Sequence, residues 1–90
     1  MNINISEKAK ESIIGNPKEI MIKKVMTRSW AGVFIEPAVY AGKPDDVEDF
    51  NRIEVENIIV YVPKEDGLDN NISIDVRGMG PFKKFTVQGL

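Results

Sequence analysis

The 90 residues include neither Cys nor His. That excludes disulfides, thiolate or imidazole metal sites, a cysteine nucleophile and any Ser-His-Asp arrangement, leaving carboxylates, lysine, tyrosine and backbone amides for chemistry. The net charge of −2 conceals an asymmetry: 1–30 carry six Lys/Arg against three Asp/Glu, 31–75 three against eleven, and 76–90 three basic groups alone. With a pI near 5.1 the chain lacks the basic surface nucleic-acid binding demands, so no nucleic-acid partner is expected. The longest unbroken apolar run, Ile58 to Val62, is five residues, far below the roughly 20 of a membrane helix. The opening MNINISEKAK has no apolar targeting segment. The expectation is one cytoplasmic domain over 1–90, with no membrane partner.

In chain order, Ile3 and Ile5 alternate with Asn2 and Asn4, which predicts a short strand or an anchored arm. Ser6 is a good N-cap and Glu7 suits the positive end of the helix that follows. Ala9 and Ile13 share a face, and Gly15 and Pro17 stop the helix after two turns. A helix so short needs a sheet to dock on.

Glu19 to Met26 (EIMIKKVM) predicts a strand and Thr27 to Gly32 a break. Val33 to Tyr40 predicts another strand; Pro37 lacks an N–H, so it marks this strand as an edge or as bulged. Asp45 to Asn51 reads as an acidic connection with one helical turn that points Val47 and Phe50 inward. Arg52 to Glu56 alternates, with Ile53 and Val55 to the core and Glu54 and Glu56 to water. Asn57 takes a left-handed turn, and Ile58 to Val62, closed by Pro63, forms the hairpin partner. A polar loop follows over Lys64 to Asn71, turning at Asp66-Gly67. Next come a strand carrying Ile72, Ile74 and Val76, a turn at Gly78-Met79-Gly80-Pro81, and a last strand, Phe82 to Val87.

The sum is a sheet-dominated α+β domain of about seven short strands with one N-terminal helix. Its expected core is Ile13, Ile20, Ile22, Val25, Val33, Val39, Ile53, Val55, Ile59, Tyr61, Ile72, Ile74, Val76 and Phe85.

The candidate functional loop is Arg28, Ser29, Trp30, Ala31 and Gly32. Trp is highly buried on average, so Trp30 is expected to pack across the end of the sheet. The competing reading is an exposed aromatic-plus-arginine contact patch, built from residue types enriched at interface hot spots. Asp45, Asp46, Glu48 and Asp49 lack the glycine and oxygen spacing of a calcium loop and read as a solvated turn. The Gly78 to Pro81 turn lacks the Lys-Ser/Thr and the helix of a phosphate loop. Lys23-Lys24 and Arg77 with Lys83-Lys84 read as solvated strand faces. No catalytic residue, metal ligand or cofactor is assigned, and an enzyme is not expected.

Four segments, ISEKAKESI, IMIKKVM, IEVENIIVYVP and ISIDVRGMGPFKKFTVQGL, succeed one another as in the HesB-like family of A-type iron–sulfur carriers, which the chain resembles. It looks closest to a short branch, the HesB-like (seleno)proteins, with paired Cys or selenocysteine before a Gly in the loop after the first long strand; Glu36-Pro37 and Gly42-Lys43-Pro44 fit that branch. The resemblance implies a HesB-like scaffold, with the loop ligands falling at about Trp30 and Ala31, ahead of Gly32, and a Cys-Gly-Cys near the C-terminus that has no counterpart in Gln88-Gly89-Leu90. Neither indole nor methyl coordinates iron. The residues at 30 and 31 fit substitution or a recoded codon, a choice that the codons themselves decide. The resemblance and the missing ligands together imply a degenerate domain that works through a protein partner or as a homodimer near iron–sulfur or redox metabolism. The alternative is a thiol or selenol redox protein, or a cluster carrier, whose ligands have been replaced.

Overall fold

A computed structural model describes residues 2–64, 71–78 and 84–89. The order is β1 (Asn2–Ile5), α1 (Glu7–Ser12), β2 (Lys18–Ser29), β3 (Gly32–Ala41), a 3-10 turn (Val47–Asp49), β4 (Phe50–Val55), β5 (Ile58–Pro63), β6 (Asn71–Arg77) and β7 (Lys84–Gln88). The strands form two sheets, ordered β1-β6-β7 and β3-β2-β5-β4. Seven strands and one α-helix among the described residues are as expected. The interior of the predicted polar loop and the Met79 to Lys83 part of the closing turn and strand lie outside the described residues.

Local chemistry sets the starts and stops. Ser6 caps α1 by accepting from the Ala9 N–H at 3.1 Å, and its own hydroxyl donates to Asp75 Oδ1 at 2.7 Å. The Ser6 N–H donates to the Ile74 carbonyl, so the cap is pinned to β6 from two sides. Lys10 donates to Glu7 at 3.1 Å and to Glu56, which ties the helix to the β4–β5 turn. In that turn Glu56 and Asn57 both have positive φ, 47° and 69°, the conformation that lets a two-residue turn follow the twist of its strands.

The core joins both sheets. Ile20, Ile22, Ile58, Val60 and Val62 meet Ile3, Ile5, Ile72, Ile74 and Val76, with Ala9 and Ile13 closing one end. β1 lies parallel to β6, Ile3 beside Ile72 and Ile5 beside Ile74, so of the two expectations, strand or anchored arm, the N-terminal segment is the strand. Three expectations about the core need correction. Ile3, Ile5, Ala9, Ile58, Val60 and Val62 belong to it. All of β5 is buried, but it is Ile58, Val60 and Val62 that join the main cluster, with Ile59 and Tyr61 buried outside it. Val33 is not a core residue at all: it is 57% exposed.

Candidate functional site

β2 and β3 pair without interruption from Ile20↔Ala41 to Ser29↔Gly32. The expected break at Thr27 is therefore absent: β2 runs on to Ser29, and the chain reverses through Trp30 and Ala31 alone. Ser29 organises this reversal. Its Oγ accepts from the Ala31 N–H at 3.2 Å and donates to the Gly32 carbonyl at 3.5 Å. The positive φ falls on Gly32, at 132°, where an added Cβ would meet no atom, so the demand for glycine there is conformational.

In a two-residue hairpin the closing pair, Ser29 and Gly32, exchanges hydrogen bonds. The alternation of an antiparallel ladder then makes Thr27–Phe34 and Val25–Glu36 bonded pairs as well. Val33, Ile35 and Pro37 fall between them and aim their backbone groups away from β2. Pro37 thus takes nothing from the ladder, and β3 is an edge strand with continuous register. The edge reading of Pro37 holds, and the bulge does not.

Directly opposed residues share a face of the sheet. The face that carries Ile20 and Ile22 into the core continues outward through Met26–Ile35 and Arg28–Val33, but the covering layer stops. Ile22 is fully buried, whereas Met26, Ile35 and Val33 are 59%, 64% and 57% exposed. On the other face Phe34 is half exposed. Trp30, at the apex, is 99% exposed. The expectation that it packs across the end of the sheet is wrong: the hairpin extends beyond its support, and no neighbouring layer among the described residues reaches the apex. Arg28, Ser29, Ala31 and Gly32 are exposed with it, so the five candidate residues do form one accessible tip.

Sequence reasoning missed Met26, Phe34 and Ile35. The signal was the unbroken Val33-Phe34-Ile35 run, which alternation cannot place on one face; such a strand is either buried on both sides or exposed on both.

Behind the tip, an open cleft of about 390 Å³ separates the outer part of β3 from the start of β7, with Pro37, Ala38, Val39, Tyr40, Lys84 and Phe85 in its lining. A second cleft, about 440 Å³, sets Asp46 and Asp49 against Lys23 and Lys64 beside Phe50 and Pro63. The acidic run thus shares its cleft with ammonium groups. Among the described residues no group of three or more His, Cys, Asp or Glu could hold a metal ion, and no helix is long and apolar enough to cross a membrane.

The whole chain, residues 1–90, matches the family described as CC/Se motif containing. The chain belongs to that family. Its own sequence contains no cysteine, so the residues that the family's name refers to are absent from this member. No curated protein matches. Among solved structures it is similar to Escherichia coli SufA, a protein involved in biosynthesis of iron–sulfur clusters, at 15% identity and a TM-score of 0.64, over 97% of this chain and 79% of SufA. The likeness supports a HesB-like fold.

Proposed function

We propose that this chain is a non-catalytic domain of the HesB-like (seleno)protein branch, acting by protein contact in the neighbourhood of iron–sulfur or redox metabolism through its β2–β3 tip. The observation that carries the reading is the near-complete exposure of Trp30 on an apex with Arg28, in a chain without a single thiol or imidazole. Trp and Arg are both enriched where partners bind. Iron–sulfur ligation by the residues present lacks donors of the right softness.

Anaerobic incubation with ferrous iron and sulfide tests the first half. No cluster absorption should develop above a buffer control, and a stable cluster would overturn the reading. The lone indole tests the second half. In protein dilute enough to be monomeric, its emission should move to the blue when proteins of iron–sulfur cluster assembly from the same cell are added, and indifference to all of them removes contact with such partners.

A second reading has one observation in its favour: residues 30 and 31 are the two adjacent, exposed members of a turn whose geometry is held by Ser29 and Gly32. Paired thiols or selenols placed there would be accessible to metal. On this reading the lineage is a thiol or selenol redox protein or cluster carrier with its ligands replaced. Combining Trp30→Cys with Ala31→Cys should then produce iron binding that the parent lacks; a variant as inert as its parent would count against it.

A further inference from the structure

The overhanging edge of β3 has a self-complementary register. Val33 and Ile35 direct their free N–H and C=O groups outward, while Pro37, two residues on, has no N–H to offer. No strand covers this edge among the described residues. We infer that the edge pairs with the same edge of a second copy, antiparallel about a two-fold axis at Phe34, with Val33 opposite the partner's Ile35. The inference rests on the proposed contact function and names its partner.

Four observations lead to that occupant. The register makes Val33 and Ile35 hydrogen-bonded pairs on both sides of the axis, giving two doubly bonded pairs, and it ends where the missing N–H of Pro37 would fall. Phe34 meets the partner's Phe34 in a non-bonded pair, the closer of the two kinds of antiparallel pair. Glu36, the one charged residue of β3, falls opposite the partner's Gly32 and not opposite its own equivalent, so no like charges face each other across the axis.

The fourth observation concerns the apex. Beyond Gly32 the chain turns back toward β2, so Trp30 lies past the paired segment, on the side of the partner's Pro37 and Ala38, which help to line the cleft between β3 and β7. The most exposed apolar side chain of one copy thus comes near a cleft of mixed lining in the other, where Pro37, Ala38, Val39 and Phe85 stand with Thr27, Glu36 and Lys84, and the two-fold repeats the exchange. Closed symmetric pairing of this kind also uses up the sheet edge, which would otherwise template open-ended association. Edge pairing covers only part of the apolar surface that Trp30, Val33, Phe34 and Ile35 leave exposed, so a pair would bury less than the roughly 1,200 Å² of a stable specific interface. The dimer should therefore be weak and concentration-dependent.

A chain without cysteine permits a clean test. Phe34→Cys places one thiol per copy on the proposed axis, at a spacing a disulfide spans. Mild oxidation at high micromolar concentration should convert most of this variant to a covalent dimer, at least tenfold faster than Glu54→Cys on β4 or Val33→Cys, whose partner is Ile35. The unmodified protein should sediment as a monomer–dimer mixture. Its indole should emit further to the blue and be better protected from acrylamide when concentrated than when diluted, and Trp30→Ala should weaken the dimer at least tenfold.

A sole monomer at high micromolar concentration, with emission independent of dilution, overturns the inference. So does equal cross-linking of the three cysteine variants, or a dimer that Phe34→Cys does not trap although the reduced variant melts with the parent. These failures leave the absence of a cluster untouched and remove only the second copy as partner. Uptake of a cluster would remove the contact reading while the cross-link still scored the pairing.

Discussion

Ile22 and Ile35 lie on the same face of the same hairpin, one beneath the opposite sheet and one beyond it, which makes them an internal comparison. Ile22 is fully buried in the main cluster and Ile35 is 64% exposed. Truncating a buried isoleucine to alanine removes its transfer free energy and leaves a cavity, about 3 kcal/mol within a usual span of about 2–5. Unfolding entropy of about 2.1 cal/mol/K per residue gives this chain about 0.19 kcal/mol/K, so each kcal/mol moves Tm by about 5 °C. Ile22→Ala should therefore lower Tm by about 15 °C. Ile35→Ala, measured dilute enough to be monomeric, should cost about 0.5 kcal/mol or less, some 2 °C by the same conversion. Circular dichroism melts at low micromolar concentration, with urea titrations as a check, would read both. A loss for Ile35→Ala equal to that for Ile22→Ala would refute the reasoning, since it would mean that the outer hairpin is covered by its own chain.

Three further outcomes rest on local geometry. Ser6→Ala removes the helix cap, about 1 kcal/mol, and also the Ser6 hydroxyl, which together with the Val76 N–H holds the Asp75 carboxyl below its ordinary value. Asp75 contributes stability that is present above the ordinary aspartate range and lost as pH falls through its depressed folded value, in a window below about pH 4; carboxyl NMR should show that titration shift upward in Ser6→Ala. Gly89→Ala would drive a Cβ into the Asn71 carbonyl at a φ of 103°, so the end of β7 should detach from β6, with hydrogen-exchange protection lost around Gln88 and Ser73. Asn57→Gly, relieving a left-handed φ of 69°, should stabilise slightly, whereas Asn57→Val should cost about 1–2 kcal/mol in thermal melts.

Where alternation and burial coincide, the elements could be read from residue order alone: Ile72, Ile74 and Val76 in β6, Ile53 and Val55 in β4, the cap at Ser6, the edge at Pro37. The parallel contact between β1 and β6 was not legible, because two isoleucines among asparagines say nothing about a partner nearly seventy residues away. The phase of β5 was hidden by five consecutive apolar residues that suit either face. At the site, composition pointed to Arg28 to Gly32, of which only Trp30 and Ala31 form the turn while the others close the two strands. It misjudged Trp30 and Val33, because burial depends on where the opposing sheet ends, and that limit is written in other strands. Thr27 and Ser29 look like a break since they are polar, yet a strand in open water has no need of apolar alternation.

The division of labour in the Ser29–Gly32 reversal has a corollary. Its shape is fixed by the hydroxyl of the first residue and the backbone freedom of the last, while the two side chains in between face water on a backbone without positive φ. Exchange of those two side chains removes no hydrogen bond that holds the reversal, so the chemistry presented at the fingertip is uncoupled from the chemistry that shapes it.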